Sequence, residues 1–480
     1  MVFSSITFLF FFLPAVLALY AFAGRWRNLL LLLVSLFFYC WGEGIYLVVM
    51  LFSIGLNYIC GRLIGRWLAH PHIVGFVLAG SLLANFSLLI FFKYANFIVD
   101  NLNTLLVAAH LPSLNLAPVH LPIGISFFTF QAVSYLIDIY RHKVEPQRNI
   151  GDLGLYIALF PQLIAGPIVR YSDIARELAC RRVALVDLAE GIQRFVFGLS
   201  KKVLLANPMA FTADKIFSLP AAELSPGLAW LGALCYTFQI YFDFSGYSDM
   251  AIGLGRMFGF HFLENFNFPY IAKSIQEFWQ RWHISLSSWF RDYLYIPLGG
   301  NRHGSRRTYL NLIIVFFLCG LWHGASWNFI CWGLFHGFFL VAERSPFGGF
   351  IKRLWPPLRH CYTMIVIIVG WVLFRCESLT DAVSYTATMF SLHESTNWQI
   401  VMVHLDRKTL VELSMAALFS MPVLPWLKSN LPGLTGTNQT TPGQTMASQA
   451  VRLLCLALLT YGTVISLAAG AYNPFIYFRF

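Results

Sequence analysis

Two histidines, each directly after a tryptophan, stand in a very apolar sequence: Trp282-His283 and Trp322-His323. An imidazole titrates at about 6.5 when unperturbed, so it can take or give a proton near neutral pH. An ionisable group at membrane depth is costly and is read as functional by default. His323 is flanked by Leu321, Trp322, Gly324 and Ala325. A neutral imidazole there can take a proton from a hydroxyl, and the two small residues leave room for a substrate. The competing reading is a structural histidine in a packed helix. His336, in Phe335-His336-Gly337, is of the same kind. Thirteen residues at about 100° each put it about 220° round a helix from His323, so one straight helix does not present both. His283 lies among Arg281, Trp282, Ser285 and Ser287, where it either positions a substrate or anchors its segment.

The elements that must carry these residues follow from composition. The chain has 480 residues, 58% hydrophobic and 11% charged, against about 25% charged in soluble domains. Uncharged runs of about 20 residues, enough to span a bilayer, recur along it. This is an all-α polytopic membrane protein with roughly 10 to 13 membrane segments expected. The net charge of +11 does not point to nucleic acid, because Lys and Arg collect in cytoplasmic loops. The candidate loops are Arg25/Arg27, Arg62/Arg66, Arg141/Lys143/Arg148, Arg181/Arg182, Lys201/Lys202 and Arg302/Arg306/Arg307, which could also meet anionic lipid headgroups or an anionic cytosolic substrate. No C-x-x-C, H-x-x-x-H or H-E-x-x-H occurs, so no metal site is expected and the nine cysteines read as small hydrophobes. The opening lacks a basic stretch before its apolar run, which reads as a retained helix.

Along the chain, Ile73 to Phe92 is a span that Lys93 is expected to end, with a shorter segment from Tyr94 to Ala108. Leu153 to Val169, broken by Pro161, Gly166 and Pro167, is expected to be bent or re-entrant. Leu228 to Phe260 carries Asp243, Ser245 and Asp249; the aspartates either pair with a nearby Lys or Arg or belong to the site, and both readings place them inside the protein. Gly255 and Gly259 have the spacing of close helix packing. Glu277 and Arg281 are set for an i, i+4 ion pair, and Phe278, Trp282 and Leu286 for one helical stripe. Residues 1–480 read as one membrane domain, with Lys428 to Gln449 as a polar loop.

These segments resemble the membrane-bound O-acyltransferase (MBOAT) family, and in particular its bacterial branch that acetylates exported polysaccharides. The likeness runs over nearly the whole chain. It is carried by Phe92-Lys93-Tyr94-Ala95-Asn96-Phe97, Leu121-Pro122-Ile123-Gly124-Ile125-Ser126-Phe127 and Phe160-Pro161-Gln162-Leu163-Ile164-Ala165-Gly166-Pro167. It continues in Tyr241-Phe242-Asp243-Phe244-Ser245-Gly246-Tyr247-Ser248-Asp249, Glu264-Asn265-Phe266, Phe278-Trp279-x-Arg281-Trp282-His283 and Leu321-Trp322-His323-Gly324. The resemblance implies a helical bundle around a tunnel, lined by Trp322, Trp282, Arg281, Asp243, Ser245 and Asp249. It implies His323 as catalytic histidine and His283 as a supporting one on the cytoplasmic side. It further implies acetyl-CoA as the donor, with no bound cofactor, a bacterial inner-membrane location, and periplasmic acetyltransferase partners that finish the transfer, to alginate first of all. Cellulose, peptidoglycan and teichoic acid D-alanylation are the rivals within the class; a channel or an export scaffold is the rival outside it. The ending Phe475-Ile476-Tyr477-Phe478-Arg479-Phe480 resembles the F-x-Y-x-x-F tail of related cell-wall acylation systems, which makes Tyr477 a candidate acyl relay, or else a docking element.

Overall fold

The computed structural model describes residues 2–392, 398–423, 425–426, 442–470 and 472–474; Tyr477 lies outside them, as do residues 428–441 of the expected polar loop. Every regular element among the described residues is helical. The chain opens with α1 (Leu13–Phe22), α2 (Arg27–Glu43), α3 (Leu47–Trp67), α4 (Pro71–Ala108) and α5 (Ile125–Tyr140). By length and composition four helical runs suffice to cross a membrane: Gly24–Trp67, Pro71–Ala108, Pro356–Arg375 and Gln449–Ala468. Shorter apolar helices cover Phe8–Phe22, Ile125–Tyr140 and Trp327–Ala342.

Lys93 does not end a helix. It sits inside the 38-residue α4, because its charge is solvated by protein groups described below. The proline-broken segment is bent as expected: α6 (Ile150–Ala158) stops at Leu159, α7 (Phe160–Leu163) restarts with Pro161 in its first turn, and residues 153–163 are buried. Next come α8 (Tyr171–Ala179), α9 (Leu185–Ser200) and α10 (Asn207–Phe217), the last two joined by a widened turn, Lys201–Ala206. Lys201 and Lys202 are therefore not a cytoplasmic loop; Lys202 is buried.

The central helix is α11 (Pro226–Met257), with nearly all side chains buried. It lies against α9 at glycine contacts. A Cβ on Gly246 would stand 2.7 Å from the carbonyl of Gly198, and one on Gly191 would stand 2.7 Å from that of Gly253. Gly255 and Gly259 do not make this contact: Gly255 faces Phe262, and Gly259 has φ +81° just past the helix end.

The stretch expected as one helix from Glu277 is two, α12 (Ile275–Arg281) and α13 (Ile284–Phe290). Trp282 is extended and His283 is left-handed, φ 43° and ψ 54°. The Glu277–Arg281 pair forms at 3.0 Å, but the stripe is broken. Then α14 (Gly304–His323) and α15 (Trp327–Ala342) make a tight hairpin, because Gly320 and Gly333 leave no room for a Cβ. The remaining helices are α16 (Pro346–Arg353), α17 (Pro356–Arg375), α18 (Leu379–Met389), α19 (Trp398–His404), α20 (Arg407–Phe419) and α21 (Pro442–Ala468). Residues 442–449, read as loop from composition, are the first turns of α21.

Polar ties gather the basic clusters at one end of the bundle. Arg181 and Asp152 both bond Asn28, at 2.5 and 2.7 Å. Tyr58 bonds the Arg148 carbonyl at 2.8 Å. Arg170 and Arg141 meet Asp292 and its carbonyl at 2.8 and 3.1 Å. From that end α2, α4 and α14 each climb to a polar residue, Glu43, Lys93 and His323. At 1.5 Å per residue the climbs are about 24, 33 and 29 Å, close to the thickness of a bilayer core.

Candidate active site

Those three residues meet. Glu43, Lys93, His120, Ser126, Trp322 and His323 share the wall of one cavity of about 450 Å³ at the end far from the arginines. The size suits a small substrate or one reacting group of a larger one.

His323 is the last residue of α14, so the helix ends at the site. The last four carbonyls of a helix lack partners within it, and here each is accounted for. Gly320 accepts from the Gly324 N–H at 3.3 Å. Leu321 accepts from the Tyr94 hydroxyl at 2.6 Å. The Lys93 ammonium donates to the carbonyls of Trp322 and His323, the latter at 3.3 Å, and to the Ser126 hydroxyl at 3.2 Å. Two consecutive residues of α4 thus cap α14. A cation at the negative end of a helix is favourable electrostatically. The clamp leaves the His323 ring set among Trp322, Trp332 and Phe374, at centroid distances of 4.9, 4.9 and 5.2 Å. His323 lines the cavity, and its ring nitrogens take no hydrogen bond among the described residues.

His283 lies behind Trp322, whose indole is 6.0 Å from the His283 ring, and it does not line the cavity. Its left-handed backbone is uncommon for a side chain of this size and is held by neighbours. The Asn265 side-chain oxygen accepts from the N–H and hydroxyl of Ser285 at 3.2 and 2.9 Å. The Ser285 N–H can only donate, which fixes which end is oxygen; the amide nitrogen donates to Ser248 at 3.0 Å. The same oxygen meets His283 Nδ1 at 3.1 Å, so that nitrogen carries the proton. Nε2 is left with its lone pair, buried and without a partner among the described residues. Both amide atoms of Gln131 and the Ser245 hydroxyl are likewise buried and unpartnered among the described residues.

The other expected site residues lie elsewhere. Trp282, Arg281, Asp243, Ser245 and Asp249 do not line the cavity. Trp282 packs in an aromatic cluster, 4.7 Å from Trp371 and 5.0 Å from Phe266. Arg281 holds Glu277 and the Asn267 carbonyl. Asp243 pairs with Lys202 at 2.9 Å, and Asp249 with Arg194 and Lys201 at 2.6 Å each. The aspartates thus make the pairing with nearby cations that one of their two readings expected. His336 packs on Trp279 and Trp332, at 5.2 and 5.1 Å, and Trp332 separates it from His323.

Residues 148–380, which hold both tryptophan–histidine pairs and Asn265, match the model of the membrane-bound O-acyltransferase family. The whole chain is 42% identical to the probable alginate O-acetylase of Pseudomonas putida over the full length of both proteins. The chain belongs to the membrane-bound O-acyltransferase family. This acyltransferase is also 38% identical to the peptidoglycan O-acetyltransferase of Helicobacter pylori, covering 82% of this chain and 80% of that one. To the teichoic acid D-alanyltransferase of Streptococcus thermophilus it is 34% identical over 46% of its own length and 56% of the other. Within the acyltransferase, Lys93, Tyr94, Glu43 and His120 escaped notice as site residues. Lys93 did leave a signal, a lone cation in the middle of a long apolar run.

Proposed function

We propose that this acyltransferase moves acetyl groups from acetyl-CoA in the cytosol across the bacterial inner membrane for O-acetylation of an exported polysaccharide, alginate. The observation that carries the reading is the pairing of two histidines through Trp322: one faces an open cavity, and the other, tautomer fixed, is buried toward the arginine-rich end. Positively charged ends lie in the cytosol, where an anionic donor such as a coenzyme A thioester would meet arginines. His323 is then the base at the outward cavity, and His283 holds or protonates the donor arm. The acceptor oxygen attacks the thioester carbon, the C–S bond breaks, and the acceptor proton passes through His323 to the departing sulfur.

Tyr477 is a proposed first acceptor, relaying the acetyl group to periplasmic partner proteins. The segment leading to it is anchored. Tyr472 bonds Asp214 at 2.6 Å, Asn473 meets Asn207 at 3.1 Å, and the Pro474 carbonyl accepts from Lys202. The full-length likeness to a probable alginate O-acetylase favours alginate; the likeness to a peptidoglycan O-acetyltransferase supports peptidoglycan as the second reading.

The test is the O-acetyl content of secreted alginate in cells carrying His323→Ala, with membrane levels of the protein checked. Loss of at least about 100-fold is expected for a general base. Unchanged acetylation at normal protein levels removes the assignment.

A further inference from the structure

The wall of the same cavity carries a second acid–base pair that the chemistry above does not use. Glu43 closes α2, its side chain only 3% exposed, and its carboxylate meets His120 Nε2 at 3.0 Å. A carboxylate at the C-terminus of its own helix faces the negative end of the dipole, and burial adds a desolvation cost. The cation of the same cavity, Lys93, is spent on the carbonyls of α14. Packing does not explain such a placement. One turn before Glu43, on the same helical face, the buried Tyr39 hydroxyl has no partner among the described residues. His120 packs against Tyr46, with ring centroids 4.6 Å apart and planes tilted by 35°, yet its side chain is 53% exposed. With Nε2–H donating to Glu43, Nδ1 is a lone pair free to accept from a hydroxyl. Carboxylate, imidazole and hydroxyl in that order are the arrangement by which a base activates an oxygen nucleophile; here the hydroxyl is the missing third member.

We propose that Glu43 and His120 form the acceptor dyad of this site, and that the hydroxyl it takes is a serine- or tyrosine-type side chain of a partner protein. The inference rests on the acyltransfer reading above. His120 removes the hydroxyl proton as the oxygen bonds to the acyl carbon. The bond from that carbon to its carrier, the ester oxygen of the first acceptor, breaks, and that oxygen receives the proton. Glu43 orients His120 and holds the imidazolium. A uronate polymer is disfavoured as the direct entrant, because Glu43 sets a like charge beside its carboxylates.

The experiment uses the full chain in alginate-producing cells, with O-acetyl content read at equal membrane protein level. His120→Ala is expected to lower acetylation about 100-fold, and imidazole added to the medium to restore part of it. His120→Gln keeps a donor to Glu43 but cannot take a proton, so it should be as inactive as His120→Ala; wild-type acetylation in His120→Gln overturns the proposal and leaves a structural role. If His323→Ala abolishes acetylation while both His120 variants stay within twofold of wild type, the acyltransfer reading stands and the dyad falls. Salt-washed vesicles given radiolabelled acetyl-CoA separate the acceptors. Label reaching the polymer with partner proteins stripped away overturns the protein acceptor, and label reaching it only when they are returned supports it.

Discussion

The ammonium of Lys93 hydrogen-bonds the main-chain carbonyl of His323 at 3.3 Å, across 230 residues of sequence. With Tyr94 it fixes the turn from which the candidate base projects. In Lys93→Met two carbonyls and a hydroxyl lose their donor, at about 1–3 kcal/mol for each group left buried and unpaired. Thermal unfolding of the detergent-solubilised protein should show the loss, and acetyl transfer should fall with it. Lys93→Arg keeps the charge but replaces the compact ammonium with a larger planar guanidinium that cannot place one nitrogen on all three acceptors, so it should recover stability more than activity. A Lys93→Met protein with unchanged unfolding and full acetylation would mean that the clamp is incidental.

Asn265 fixes the tautomer of His283 and supports its left-handed backbone, a conformation of about 1–3 kcal/mol strain. Asn265→Ala is expected to lower acetylation at least about tenfold through the freed imidazole. Asn265→Asp keeps an acceptor for Nδ1 and should regain part of it. Equal activity in the two variants would sever His283 orientation from function.

The Lys202–Asp243 pair is almost fully enclosed, with side chains 3% and 1% exposed. Losing the Asp243 carboxylate leaves the buried Lys202 ammonium without its counter-charge. Asp243→Asn should therefore destabilise by about 3–5 kcal/mol, while Asp243→Asn combined with Lys202→Met should recover most of that. Unfolding of the two variants in the same detergent provides the comparison.

At the arginine-rich end, burial alone would raise the Asp292 carboxyl, but the hydrogen bond from Arg291 and the charges of Arg170 and Arg291 outweigh it and hold the group below the ordinary carboxylate range. Its folded pKa is lowered, so the stability it adds is present above the unfolded value of about 4 and is lost as pH falls through the folded one. Asp292→Asn should be less stable than wild type at pH 7, with the difference fading only below about pH 4. A gap that closed between pH 7 and 5 would contradict this.

Much of this was legible in the sequence because apolar run length and proline breaks are local. The bent Leu153–Val169 segment, the Glu277–Arg281 pair and the two tryptophan–histidine motifs were all readable as such. What failed was non-local. Lys93 read as a helix end because its solvating carbonyls belong to a helix 230 residues later. The break at Trp282-His283 was hidden because Asn265, which imposes it, lies across a loop. Lys201 and Lys202 read as a loop because the carboxylates that pair with them, Asp249 and Asp243, come from α11. Glu43 and His120 gave no joint signal, being 77 positions apart.

The capping of α14 by α4 also orders biosynthesis. Lys93 and Tyr94 leave the ribosome long before the carbonyls they will hold, and the last turn of α14 has no satisfactory end until both helices stand side by side in the bilayer. The corner around His323 thus forms only once residues some 230 positions apart have both been made and brought together. A chain in which α14 has yet to meet α4 therefore lacks the fixed turn on which His323 sits.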